Sequence, residues 1–98
     1  AERVVAPETF EHVSQKRIEG CDLVLPFRLD WRTGVLGNNN SFYGPNPETL
    51  GHSGWGGSCA FGDPRTKVSA AYVMNKQSHH LMGDPRSLRL IEALYACL

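Results

Sequence analysis

The most regular hydrophobic pattern of the chain lies near residue 90 and predicts a helix. Its apolar residues recur every three or four positions, and the charged Arg89 and Glu92 fall on the opposite side, as on an amphipathic helix. The apolar set consists of Leu88, Ile91, Leu94, Tyr95 and Leu98. Asp84 is a favourable N-cap and Pro85 fits the first helical position, so the helix is expected to begin at residue 85.

Shorter patterns earlier in the chain predict strands. Apolar and polar residues alternate over 27–31, as in a strand with one buried face. The runs 58–61 and 68–74 are also strand-like, and the segment between them has Asp63 and Pro64 at the leading positions of a type I turn. These two runs are therefore predicted to form a β-hairpin.

The remaining segments complete a mixed architecture. Residues 8–18 are expected to form a short helix that follows Pro7 and ends at Gly20, whereas residues 38–47, rich in Asn and Pro, form an irregular loop. A helix with one apolar face must bury that face, and for the last helix the hairpin is the nearest sheet. The predicted fold class is α+β, an antiparallel hairpin or sheet with a C-terminal helix packed against it.

Length and charge exclude several classes of function. The chain has 98 residues, enough for one small domain. Its 10 basic residues are scattered among 10 acidic ones, whereas a nucleic-acid-binding face needs a basic stripe. No apolar run approaches the roughly 18 residues of a membrane-spanning helix, and the last helix has too few charges to lie on a membrane surface. Neither nucleic acid nor a membrane is expected as a partner.

Cysteine and histidine positions give no metal or cofactor site. With 3 cysteines a closed set of disulfides cannot form, and no Cys-x-x-Cys pair is present. Cys21, Cys59 and Cys97 are therefore expected to be reduced and buried, which favours a reducing compartment such as the cytoplasm. The adjacent His79 and His80 are expected to point apart in a solvated loop. No metal or cofactor is predicted.

A glycine-rich segment, Leu50–Ser58, is the one dense chemical signal. It begins like the Gly-x-Ser-x-Gly nucleophile elbow, but Trp55 stands in place of the second glycine and a strand pattern follows instead of a helix. It also lacks the Lys-Ser/Thr pair and the helix of a phosphate loop. Two interpretations remain. The segment is either a glycine-rich bend before a strand, or a strand edge that presents His52 and main-chain N–H groups to a substrate carbonyl.

Together with Ala60–Pro64, Tyr72–Lys76 and Gly83–Leu88, this segment resembles the C-terminal end of the serine β-lactamase-like and penicillin-binding-protein-like hydrolases. The resemblance is to the class C and esterase branch and covers residues 20–98. It implies that His52-Ser53-Gly54 is the third active-site motif of that family, on an inner strand of an antiparallel sheet. It also implies that the N–H of Trp55 is an oxyanion donor and that His52 binds a substrate carboxylate or tunes the proton network. Trp55-Gly56-Gly57 is an alternative alignment to a third motif.

The rest of that family's chemistry is missing from these residues. None of the serines is followed three positions later by lysine, and none of the tyrosines is followed two positions later by asparagine, so the nucleophile, its base and the second motif are absent. Residues 1–98 are accordingly expected to form a single region, a C-terminal fragment of a larger serine hydrolase domain. Its partners would be the remainder of that domain or a small ester or amide substrate. The alternative is a stand-alone α+β module that binds without catalysis.

Overall fold

The chain forms two helices and five strands over residues 4–98, the part that a computed structural model describes. In chain order these are α1 (Pro7–Ser14), β1 (Ile18–Cys21), β2 (Arg28–Trp31), β3 (Leu50–Ser53), β4 (Cys59–Asp63), β5 (Val68–Tyr72) and α2 (Pro85–Ala96). The α+β fold class predicted from the sequence is confirmed. The hairpin β4–β5 and helix α2 lie where the sequence pattern placed them.

The strands form an antiparallel layer in two parts. β1 pairs with β2, and β3, β4 and β5 pair in that order. Leu36 joins the two parts by bridging to Trp31 on one side and to Gly51 on the other. The Leu36 N–H donates to the Gly51 carbonyl at 2.8 Å, and the Gly51 N–H donates back at 2.9 Å. The first half of β3 therefore lies inside the sheet, between β4 and Leu36.

Helix α2 begins as its sequence predicts. The Asp84 carboxylate accepts a hydrogen bond from the N–H of Arg86 at 2.8 Å, and Pro85 occupies the first turn. Ile91 is buried, but Leu98 lies beyond the end of the helix and is 61% exposed, so its predicted place on the apolar face is wrong. Within residues 4–98, neither helix has the length and apolar character needed to cross a membrane.

The core lies between the β3–β5 sheet, α2 and the loop that precedes β3. Its buried side chains are Leu29, Leu36, Tyr43, Phe61, Met82 and Ile91. Phe61 of β4 is central, because its ring stacks with Tyr43 at a centroid distance of 6.3 Å and with Tyr95 of α2 at 6.4 Å. Burial of such aromatic rings is the largest single apolar contribution available to a small domain. The helix is thereby fixed to the strand that pairs with β3.

Asp63, at the end of β4, ties the helix and the loop to the hairpin turn. Its side chain accepts hydrogen bonds from the Tyr95 hydroxyl at 2.7 Å, from Asn46 Nδ2 at 2.6 Å and from the Arg65 N–H at 2.9 Å. Burial raises the pKa of the Asp63 carboxyl, but these hydrogen bonds outweigh that effect and lower it from 3.8 to about 2. The carboxylate therefore stays ionised while it joins three segments of the chain.

The N-terminal prediction was wrong in its bounds. Helix α1 ends at Ser14 instead of residue 18, because the backbone of Gln15 is extended. Residues Ile18–Cys21 form β1, which pairs in register with β2 from Ile18 opposite Trp31 to Cys21 opposite Arg28. The helix buries no residue, so pairing with β2 outweighs helix propensity in the segment that follows.

Candidate active site

The strand that carries the predicted motif, β3, has an open main-chain edge at its C-terminal end. Its Gly51 bonds to Leu36 on the side away from β4. Because main-chain groups alternate along a strand, those of Ser53 point to the same side as those of Gly51. No residue within 4–98 extends the Leu36 bridge past Gly51. Beside Ser53 this edge is therefore not paired with another strand among residues 4–98, and the Ser53 carbonyl accepts only a side-chain hydrogen bond from His52.

The loop Gly54–Ser58 turns the chain from β3 into β4. The Gly54 N–H donates to the carbonyl of Ser58 at 2.9 Å, and the Gly57 N–H donates back to the carbonyl of Gly54 at 3.3 Å. Between them, the indole of Trp55 is 76% exposed. Among residues 4–98 the N–H of Trp55 has no hydrogen-bond acceptor, so it is a main-chain donor available to an oxygen atom from outside this segment.

His52 and Ser53 point to opposite faces of the sheet. The His52 side chain is exposed and its ring lies 5.9 Å from that of Trp31, between ring centroids. Its Nδ1 is 2.9 Å from the carbonyl oxygen of Ser53. Since a carbonyl can only accept, Nδ1 carries the proton in this contact, and Nε2 is left as an acceptor when the ring is neutral. The predicted site residues therefore share a strand end but not a face.

A buried tyrosine that was not predicted from the sequence, Tyr43, contacts the strand that carries His52-Ser53-Gly54. The Tyr43 and Ser53 hydroxyl oxygens are 2.9 Å apart. Burial raises the pKa of Tyr43, and the hydrogen bond with Ser53 only partly opposes that effect, so the phenol stays neutral. A Cβ on Gly51 would lie 2.8 Å from Tyr43 Cδ2. Glycine at this position is therefore what allows the ring to lie against β3.

Tyr43 belongs to the loop that was identified only as irregular. Asn38, which begins the asparagine run, is buried and accepts a hydrogen bond from the Tyr43 N–H at 3.1 Å. Its Nδ2 donates to the carbonyls of Gly44 and Asn46 at 2.8 and 3.0 Å. The composition of this loop predicts a turn, but only the tertiary structure shows that Asn38 orders the loop around Tyr43.

Two expectations about the cysteines and histidines were wrong. Cys21 and Cys97 are exposed, and only Cys59 is partly buried, where burial raises the pKa of its thiol. The rings of His79 and His80 stack with their centroids 4.5 Å apart instead of pointing apart. Among residues 4–98 no group of three or more His, Cys, Asp or Glu side chains is arranged to hold a metal ion.

Comparison with known proteins relates this arrangement to larger proteins. No family model matches the chain, and no curated protein matches it at a significant level. Solved structures do match it, among them two crystal structures of longer proteins. A penicillin-binding protein homologue from Caulobacter crescentus is 54% identical and superposes on 97% of the chain with a TM-score of 0.94. A family VIII carboxylesterase is 38% identical and superposes on 97% with a TM-score of 0.93.

The chain spans about a quarter of those structures, because the matches cover 26% of each of the longer chains. The superpositions leave out only a few of the 98 residues. The resemblance to the serine β-lactamase-like, penicillin-binding-protein-like hydrolases is therefore confirmed at the level of the fold, because the chain has the structure of one part of two such proteins.

Proposed function

We propose that the chain is the C-terminal segment of a larger serine hydrolase domain and supplies the third active-site motif, His52-Ser53-Gly54. The observation that carries this proposal is the open edge of β3, where the N–H of Trp55 lacks an acceptor among residues 4–98. The comparison also supports the proposal, because nearly all of the 98 residues match, whereas they cover only 26% of the family VIII carboxylesterase. The reaction is hydrolysis of an ester or amide through an acyl-serine.

In this mechanism the serine and its base come from outside these residues, and the β3 edge binds the substrate. The carbonyl oxygen of the ester or amide accepts a hydrogen bond from the Trp55 N–H. The bond strengthens when the serine oxygen adds to the carbonyl carbon and negative charge develops on that oxygen. A main-chain donor suits this role because it is fixed before the reaction and needs no side-chain reorganisation. Collapse of the tetrahedral intermediate expels the alcohol or amine, and water then releases the acyl group.

His52 has a separate role at the side of this edge. With Nδ1–H held by the Ser53 carbonyl, a neutral ring offers Nε2 as an acceptor to the proton network. A protonated ring offers Nε2–H to a substrate carboxylate. Both roles are consistent with the exposure of His52 beside the strand end, and both leave the nucleophilic step to residues outside the chain.

The alternative alignment, which assigns the third motif to Trp55-Gly56-Gly57, has less support. Gly56 is buried, its N–H donates to the carbonyl of His80 at 3.0 Å, and its carbonyl accepts from the N–H of Ser78 at 2.9 Å. Main-chain groups that are already paired cannot bind a substrate without breaking those bonds. The unpaired main-chain N–H is that of Trp55, which directly follows His52-Ser53-Gly54 and precedes the paired Gly56.

Two variants of one residue test the oxyanion role in the full reading frame that contains this chain. Trp55→Pro removes the N–H, whereas Trp55→Ala removes the exposed indole and keeps the N–H. Loss of an oxyanion donor lowers kcat by about 10²–10³. We therefore expect Trp55→Pro to hydrolyse a p-nitrophenyl ester at least a hundredfold more slowly than Trp55→Ala. Thermal unfolding of both variants verifies that they fold. Equal kcat values in two folded variants would refute the assignment.

Labelling with a fluorophosphonate locates the nucleophile. We expect the full reading frame to be labelled on a serine outside these 98 residues and the isolated chain to remain unlabelled. His52→Ala should lower kcat/KM about tenfold or more, whereas His12→Ala, at an exposed position of α1, should not. Labelling within the isolated chain would contradict the proposal. A reading frame limited to this chain, with no labelling, would favour a binding module instead.

A further inference from the structure

The loop that carries the Trp55 N–H is held from behind by residues 78–86. The carbonyl of Gly56 accepts a hydrogen bond from the N–H of Ser78 at 2.9 Å and lies 3.3 Å from the Ser78 hydroxyl. It also accepts a hydrogen bond from Nη2 of Arg86 at 3.4 Å. The Gly56 N–H donates to the carbonyl of His80 at 3.0 Å. Both main-chain groups of the residue after Trp55 are therefore fixed by a segment more than 20 positions away.

A single buried carboxylate orients the side chains that make these contacts. Asp84 is 2% exposed, and its Oδ2 accepts from the Ser78 hydroxyl and from Arg86 Nη2, both at 2.8 Å. A hydroxyl has one proton, so this shorter distance identifies Asp84 as its main acceptor, and the Gly56 carbonyl receives its closest bond from the Ser78 N–H. Hydrogen bonds from Arg86, opposed in part by burial, hold the pKa of the Asp84 carboxyl well below its usual range.

The carboxylate also fills the space beside the second glycine of the loop. Gly56 and Gly57 have φ values of +106° and +112°, a conformation that other residues rarely adopt. A Cβ on Gly57 would lie 2.1 Å from Asp84 Oδ2. Two successive glycines have wide conformational freedom in the absence of contacts, so one loop geometry requires an external constraint, and Asp84 lies where that constraint acts.

We infer that Asp84, Ser78 and Arg86 are positioning residues that fix the Gly56-Gly57 turn and thereby direct the Trp55 N–H toward the open edge of β3. The catalytic role of these residues rests on the proposed function. Their contacts with Gly56 and Gly57, which we call the clamp, can be tested without any enzyme activity. None of the three residues needs to touch the substrate. They act on the oxyanion donor through the main chain of the two residues that follow it.

Hydrogen exchange tests the clamp without any enzyme activity. In Ser78→Ala and Arg86→Ala variants of the full reading frame, we expect the amide of Gly56 to exchange at least tenfold faster, and the amide resonance of Trp55 to shift. The amide of Phe61, in the middle of β4, should be unaffected. Arg65→Ala is the matched control, since that arginine pairs with Glu48 at the exposed hairpin turn. Unchanged Gly56 exchange in both variants would overturn the inference.

Kinetics test whether the clamp acts on catalysis. We expect kcat per fluorophosphonate-labelled site to fall about tenfold to a hundredfold in Ser78→Ala and Arg86→Ala, with KM within twofold of wild type. Affinity for a boronic acid, which forms a tetrahedral serine adduct, should fall in parallel. Arg86→Lys should recover part of kcat. A smaller labelled fraction with unchanged kcat per site would show a purely structural role and overturn the inference.

These two measurements separate the inference from the proposed function. If the wild-type protein is not labelled by the fluorophosphonate, the proposed hydrolase function is wrong, and hydrogen exchange still decides whether residues 78–86 fix the Trp55 N–H. If the wild type is labelled and active but the variants keep its kcat per site, the hydrolase function stands and the positioning role is wrong.

Discussion

Replacing Gly57 with alanine is expected to destabilise the protein strongly, whereas replacing Gly62 is not. At Gly57 φ is +112°, and holding a non-glycine residue in such a conformation costs about 1–3 kcal/mol. The new Cβ would lie 2.1 Å from Asp84 Oδ2, so the carboxylate must also leave its place. At Gly62, within β4, no atom lies within 4 Å of the added Cβ, and alanine in a strand is favoured over glycine by roughly 0.5–1 kcal/mol.

Thermal unfolding of the two alanine variants measures the difference. A loss of 1 kcal/mol lowers Tm by roughly 4–8 °C in a domain of this size and by less in a larger one. Gly57→Ala should therefore unfold several degrees below wild type, and Gly62→Ala at or slightly above it. Equal Tm values for the two variants would refute the argument, because both the left-handed backbone and the contact with Asp84 distinguish these positions.

A double variant separates the two causes. In an Asp84→Ala background the carboxylate that the Gly57 Cβ would meet is absent, so Gly57→Ala should cost only the backbone part, about 1–3 kcal/mol. In the wild-type background its cost should be larger. Additive costs would mean that the carboxylate moves away freely, and the packing of Asp84 against Gly57 would then contribute nothing to the loop geometry.

Two further predictions concern the buried polar groups around the sheet. Because the pKa of Asp63 is about 2 in the folded chain and 3.8 in the unfolded one, its stabilisation of about 2 kcal/mol is present above pH 4 and is lost as pH falls toward 2. Urea unfolding as a function of pH should show a smaller decline in Asp63→Asn than in wild type, because the other carboxyls of lowered pKa, such as Asp84, still contribute in both. Tyr43→Phe should lower the free energy of unfolding by about 1 kcal/mol, because it removes the hydrogen bond with Ser53. Tyr72→Phe, which breaks no side-chain hydrogen bond found among residues 4–98, should change it very little. Equal losses in the two variants would contradict the assignment.

Local signals explain why part of the fold was predictable from the sequence. Helix α2 carries its own cap and apolar period, and hairpin β4–β5 carries its own turn residues, so neither depends on distant contacts for recognition. β1 has no such signal, because three of its four residues are exposed and its one β-branched residue, Ile18, is 66% exposed. Pairing with β2, across a turn, decides its conformation. Propensity over a short window cannot report that pairing.

The candidate site likewise has one part that was predictable from the sequence and one that was not. The family resemblance placed His52-Ser53-Gly54 on an inner strand, and β3 is inner as far as Gly51. Nothing in the sequence connects that motif to the residues that support it. Arg86 reaches Gly56 across 30 positions, and the Asp84 that aligns it was predicted only as a helix cap. A capping aspartate has the same sequence signature whether or not its second oxygen organises a neighbouring loop.

The contacts around the Gly54–Ser58 loop lead to one more prediction about the proposed larger hydrolase. Among residues 4–98, Ser78, His80, Asp84 and Arg86 hold Gly56 and Gly57. Under the proposed function the nucleophilic serine lies outside these residues, so its position depends on other contacts. A substitution that only misaligns that serine with the edge of β3 is expected to lower kcat without increasing hydrogen exchange at Gly56. Loss of the contacts made by Ser78 and Arg86 is expected to lower kcat and to increase that exchange.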